Sequence, residues 1–253
     1  MSPFFPISNF ISSQTNPQNS GYCLSMMLCF LVGVTYLLSF YVLIQPTDYW
    51  RLQFTDFAIE FYIVLVYVTS SFICSLGTIF VPNNMYNVRI TSGLLLQAAC
   101  LAIIPMLSNY YKKSPSYSAS SPFELSSYSL SVLICTALCG LATSLCHGSV
   151  LYLSAQFPGG IQRSLQLGMG ISPIAALTIR LGTFYSYSFQ DTITATSVYF
   201  YAVALLCFIT SIAFQGKSLS CYHLCMEVYI YLFVYLLIIP HNLFPRQGFC
   251  PCQ

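Results

Sequence analysis

The chain has 253 residues, of which 57% are hydrophobic and only 6% charged, against roughly 45–50% and about 25% in ordinary soluble domains. Such a composition cannot solvate a globular surface, and it excludes a water-soluble enzyme or binding module. Eight Lys and Arg against six Asp and Glu leave a formal charge of +2, too small and too scattered to hold nucleic acid or an acidic partner.

Residues 1-22 read as a polar, disordered tail rich in Ser, Asn and Pro. They lack the basic region and short apolar core of a signal peptide, so the first span itself is expected to direct insertion. Six runs are then long and apolar enough to cross a hydrocarbon layer of about 30 Å. They are Leu24 to Ile44, Phe57 to Phe80, Ile90 to Leu107, Tyr128 to Leu151, Gln166 to Tyr187 and Thr196 to Phe214. Lipid offers backbone groups no water, so each run is predicted to be helical. Residues 23-215 are thus expected to form an all-α, polytopic six-helix membrane bundle.

The connections carry breakers and polar groups: Pro46 and Asp48, then Pro82, Asn83 and Asn84, then a Ser-rich loop with Lys112, Lys113, Pro115 and Pro122, then Pro158, Gly159 and Gly160. Tyr41, Tyr49 and Trp50, like Tyr110 and Tyr111, suit an interfacial aromatic belt. An inside N-terminus places Arg89, Arg163 and Lys217 on the cytoplasmic side but Arg51, Lys112 and Lys113 opposite, so charge does not decide the orientation. Residues 216-253 form an atypical tail whose apolar stretch, Val228 to Ile239, is about half a span and reads as re-entrant or interfacial.

Seven of the twelve cysteines (Cys29, Cys74, Cys100, Cys135, Cys139, Cys146 and Cys207) fall in apolar runs, where they pack as small hydrophobes. Cys221, His223, Cys225, Cys250 and Cys252 match no standard zinc spacing. Free thiols are expected there ahead of acylation or a metal, and no cofactor is expected. The chain carries no Asn-x-Ser/Thr sequon, hydrolase elbow, phosphate loop or zinc-protease helix signature. Ser149 with His147 lacks the orienting acid of a catalytic arrangement.

Candidate functional residues are polar groups at membrane depth. In the fourth span Gly140, Ser144 and Gly148 recur at steps of four, giving a small-residue face for close helix packing. Beside it, Thr143 and His147 place a hydroxyl and an imidazole in the bilayer. An ionisable group there points to function, either as a solute ligand or as a neutral histidine bonded to a neighbouring helix. In the fifth span Arg180 must face a cavity, a carboxylate or backbone carbonyls. Glu60 is the internal candidate for its partner, in a gating or structural pair rather than in direct solute contact. Gln97 and Gln156 read as interhelical hydrogen-bonding residues.

Several motifs fall in order: Gly148-Ser149, Gln156-Phe157-Pro158, Gly168-Met169-Gly170 and Leu177-Thr178-Ile179-Arg180-Leu181. Val88-Arg89-Ile90, Gly33 with Leu37 and Leu38, and Asp48-Tyr49-Trp50 accompany them. From about Leu24 to Phe214 this set resembles the N-terminal half of the equilibrative nucleoside transporter family. The resemblance implies a major-facilitator-like architecture in which two bundles enclose a pathway. Nucleosides or nucleobases would pass down their gradient by alternating access, at the plasma membrane rather than an internal one. It sets Phe40 where the family often has a pathway Trp, Ile44 where a solute-facing apolar residue lies, and His147 where a Gln contacts solute, and it matches Arg180 to a fifth-helix arginine. Ser39-Phe40-Tyr41 replaces the family's Pro-Trp-Asn, keeping an aromatic face but losing the kink and the amide.

The family's second bundle, with its solute-contacting Asp and Arg, has no counterpart in these six spans. Three expectations follow: a fragment of a full carrier, a true half that dimerises or pairs with a second chain, or a non-transporting interaction subunit. A carrier for another small polar solute, such as a sugar, is the alternative on the same fold. The lack of a clear membrane-embedded acid favours facilitated diffusion over proton symport.

Overall fold

A computed structural model describes residues 20–54, 58–78, 80, 86–113, 122–157, 159–187 and 192–215. The expectations for the tail before Ser20, for Pro82 to Asn84, for Pro115 and for residues 216–253 with Val228 to Ile239 and their Cys and His lie outside the described residues. Among the described residues seven helices run in order: α1 (Ser20–Ile44), α2 (Thr47–Gln53), α3 (Ile59–Thr78), α4 (Tyr86–Lys113), α5 (Pro122–Ala155), α6 (Gly159–Ser186) and α7 (Thr192–Gln215). All but α2 are long and apolar enough to cross a bilayer, so the chain is an all-α, multi-pass integral membrane protein.

Each predicted span is a helix, and several outgrow their apolar runs. α4 extends by polar turns at both ends, where water and headgroups can solvate side chains that hydrocarbon would not, and α5 runs from Pro122 to Ala155. α6 begins at Gly159 rather than Gln166, because the Gly-Gly pair that reads as a break forms the first turn. Gly160 lies against the Tyr22 hydroxyl, where a larger residue would collide.

Helix α1 is the most enclosed span, packed on α6, α7, α5, α3 and α4. It runs parallel to α6: Gly160 meets Tyr22, Ser164 Oγ donates to the Met26 carbonyl at 2.7 Å, and Gly168 meets Phe30, Gly33 and Val34. At that crossing the two backbones touch, since a methyl group at Gly33 would stand 3.3 Å from the Gly168 Cα. α5 packs between α4 and α3, and α7 closes the far side on α4 and α1. The small-residue face of α5 holds for two of its three members. Gly140 abuts the Tyr67 carbonyl and Ser70, and Ser144 Oγ lies 2.8 Å from Ser75 Oγ, but Gly148 faces open space among the described residues.

The interfacial role expected for Tyr49 and Trp50 is overturned. Both lie on α2 and are 0% exposed. α2 folds back under the bundle, and the Trp50 indole donates to the Leu43 carbonyl at 2.8 Å, one of the acceptors that the end of α1 leaves unsatisfied. Its ring packs on Phe54 and Phe200, and Phe54 stacks on Tyr128 with ring centroids 5.1 Å apart. The result is an aromatic plug closing one end of the bundle. Tyr110 stays exposed as a belt residue would, while Tyr111 packs on Tyr128.

Candidate functional site

Tyr36, Phe40 and Ile44 are spaced by four and form one stripe along α1. Tyr36 is buried, while Phe40 and Ile44 are half-buried. The stripe meets α5 at its inner end and α3 at its middle. The Tyr36 hydroxyl lies 3.0 Å from Nδ1 of His147, and the Phe40 ring packs on Tyr67 with centroids 4.8 Å apart. His147 and Gly148 are exposed on the bundle's surface.

Behind the stripe, a buried hydrogen-bond cluster ties four helices together around Thr143. Its hydroxyl lies 2.5 Å from the Tyr67 hydroxyl and 3.4 Å from Ser39 Oγ, accepts from Gln97 Nε2 at 2.7 Å, and bonds the Cys139 carbonyl of its own helix at 2.9 Å. The same Gln97 nitrogen donates to the Tyr36 carbonyl at 3.1 Å. Gln97 therefore joins α4 to α1 and α5, the interhelical bonding expected of it. Its buried Oε1 has no protein partner among the described residues. Unbonded polar groups so far from water are costly in a bilayer, and the other side-chain groups of the cluster are bonded to one another. The cluster fixes the positions of α1, α3 and α5 around the stripe.

Arg180 lies elsewhere, and its expected partner is wrong. The side chain is 15% exposed and its Nη2 stands 3.5 Å from Asp48 Oδ2, whereas Glu60 is engaged by Arg51 at 3.1 Å. The cause is the parallel packing of α1 on α6. Twelve residues beyond the Gly168 crossing, or about 18 Å, Arg180 comes level with the end of α1, where the chain turns into α2 and presents Asp48. Glu60, in the first turn of α3, lies within reach of the Arg51 that precedes it. By the same register Arg180 stands roughly 12 Å from His147 along the bundle axis. The structure thus sets His147 at the Tyr36 end of the stripe, Phe40 at its middle against Tyr67, and Arg180 near its Ile44 end.

A double-mutant cycle between Asp48→Asn and Arg180→Met, read as thermal stability in detergent, is expected to show coupling of about 0.2–1 kcal/mol, as for a pair with one exposed partner. The cycle of Glu60→Gln with Arg180→Met should be additive. Coupling in the second cycle and none in the first would restore Glu60 as the partner.

Tyr36, Tyr67 and the bonding role of Ser39 were missed in the sequence, because tyrosine is common in the chain, which holds 20. The signal available was the aromatic and apolar repeat at steps of four through Tyr36, Phe40 and Ile44.

No family model matches the chain, and no solved structure does. Over 174 residues, 68% of the chain, it is 22% identical to equilibrative nucleotide transporter 1 of Arabidopsis thaliana. The matched stretch covers 37% of that protein, so the chain spans little more than a third of the relative's length. Together with six helices able to cross a bilayer, this likeness connects the chain to membrane transport.

Proposed function

We propose that the chain forms a six-helix half of a carrier that moves nucleosides or nucleobases across the plasma membrane by facilitated diffusion, through alternating access. The observation that carries this reading is the stripe itself. It has half-buried aromatic and apolar side chains, Phe40 and Ile44, on which a planar base can stack, and an exposed imidazole, His147, that can hydrogen-bond the base edge or sugar. A half-open face of this kind needs a second surface to enclose a solute, supplied by a further bundle, a second copy or another chain. Arg180 and Asp48, at the far end of the stripe, form the ion pair that would open and close with the rocking of the halves. Asp48 and Glu60 are both engaged by arginines near span ends, which favours facilitated diffusion over proton symport. The resemblance in the ordered motifs and the name of the plant relative support the solute class.

Uptake of radiolabelled adenosine and uridine into proteoliposomes carrying the chain tests the reading. Saturable uptake is expected, blocked by excess unlabelled nucleoside but not by glucose. His147→Ala or Phe40→Ala should lower it at least tenfold, the scale of one lost hydrogen bond or stacking contact, while His147→Gln retains most of it. Sugar uptake, or ion currents without nucleoside uptake, would overturn the proposal.

A further inference from the structure

Tyr36 is 1% exposed, and a buried phenol needs an acceptor for its proton. Among the described residues its hydroxyl has one hydrogen-bond partner, Nδ1 of His147 at 3.0 Å, with the two rings tilted by 39°. In a neutral imidazole one nitrogen donates and the other accepts. If Nδ1 carried the proton it would donate to the phenol oxygen, and the phenol's own hydrogen would be left in the bundle core without an acceptor. A doubly protonated ring would incur the same loss and add a cation at membrane depth. Both groups are satisfied in one arrangement: the Tyr36 hydroxyl donates to Nδ1, and the ring proton resides on Nε2.

The surroundings hold that arrangement in place. The Tyr36 backbone accepts from Gln97, which also donates to Thr143. Thr143 sits one helical turn before His147 on α5, so a single amide fixes the spacing of the two ring-bearing segments. His147 is exposed, and Nε2 makes no polar contact with the described residues, so its N–H is the group offered outward.

We propose that Tyr36 is a positioning residue that fixes His147 as the Nε2–H tautomer, so that the open face presents a hydrogen-bond donor and selects solutes with an acceptor at the matching atom. For a heteroaromatic base this means a ring nitrogen or carbonyl, favoured over an isostere that places C–H there. The solute class rests on the nucleoside reading above, but the tautomer does not.

Two measurements on the full chain in lipid bilayers test this. Solid-state NMR of protein carrying ¹⁵N-labelled histidine reads the tautomer directly, with His147 identified among the three histidines by the signals lost in His147→Gln. The expected spectrum has a protonated Nε2 and an unprotonated Nδ1, giving way to a mixture of tautomers in Tyr36→Phe. Competition against adenosine uptake by deaza analogues, each with one ring nitrogen replaced by C–H, reads the consequence. One analogue should compete about tenfold less well than adenosine, and the difference should vanish in Tyr36→Phe. A native His147 protonated on Nδ1, or on both nitrogens, overturns the proposal even if the Tyr36 variant does not fold. An Nε2–H tautomer that persists in Tyr36→Phe overturns the positioning role. An Nε2–H tautomer in a chain that carries no nucleoside keeps the tautomer and sinks only the solute class.

Discussion

Gly168→Val is expected to leave little folded protein. The Phe30 carbonyl occupies the space where a Cβ at position 168 would go, with the Val34 nitrogen 3.1 Å and the Gly33 Cα 3.2 Å from it. These are backbone atoms of a helix and cannot swing aside as a side chain does. The added group must push α1 and α6 apart along the crossing that also carries the Ser164 to Met26 bond. Water gives no help in lipid, where helix association rests on close packing and interhelical hydrogen bonds. Overpacking of a side-chain core costs about 1–3 kcal/mol and occasionally more. A backbone clash belongs at or above the upper end, against a total stability of roughly 5–15 kcal/mol. Size-exclusion profiles and thermal melts in detergent are the measurement. Gly148→Val and Gly170→Val serve as controls, since among the described residues neither position has a neighbouring atom beyond its own helix backbone within 4 Å of a new Cβ. Equal damage at Gly170 would mean that glycine matters there for a reason other than the crossing.

The contrast between these glycines marks where the sequence stops being informative. Spacing made Gly140, Ser144 and Gly148 look equivalent, yet among the described residues only the first two meet α3, since which neighbour covers a face is not written in that face. The six spans were legible because apolar length has one meaning in lipid, and their true ends were not, because polar turns outside hydrocarbon obey no hydropathy rule. His147, Thr143 and Gln97 stood out as polar groups inside apolar runs. What they touch did not, since it depends on which helices are neighbours. Arg180 shows the same limit: counting charges offered Glu60, while the parallel register of α1 and α6 delivers Asp48. Tyr36 and Tyr67 were hidden by ordinariness. They acquire a role only when α5 brings His147 and Thr143 to them.

Trp50→Ala should be the most damaging truncation of a side chain. An indole at an interfacial belt is partly wet and dispensable, whereas this one is 0% exposed among Tyr49, Phe54 and Phe200, with centroids at 5.0, 6.5 and 6.2 Å. Removing it leaves a void in a packed aromatic cluster and strips the Leu43 carbonyl of its donor. Losses of about 3–5 kcal/mol are usual for a buried Trp or Phe cut to Ala, and the orphaned acceptor adds to this. Trp50→Phe keeps most of the ring volume and isolates the hydrogen bond, so its cost should be about 1–2 kcal/mol. Tyr110→Ala, on a residue 74% exposed, should change stability by no more than about 0.5 kcal/mol. Trp50 is the only tryptophan in the chain, so its fluorescence also reports its surroundings without any mutation. Emission shifted to the blue and resistant to acrylamide is the expected result. Emission at the wavelength of wet indole, readily quenched from the aqueous phase, would put α2 back at the membrane surface and remove the plug on which the closed end of the bundle depends.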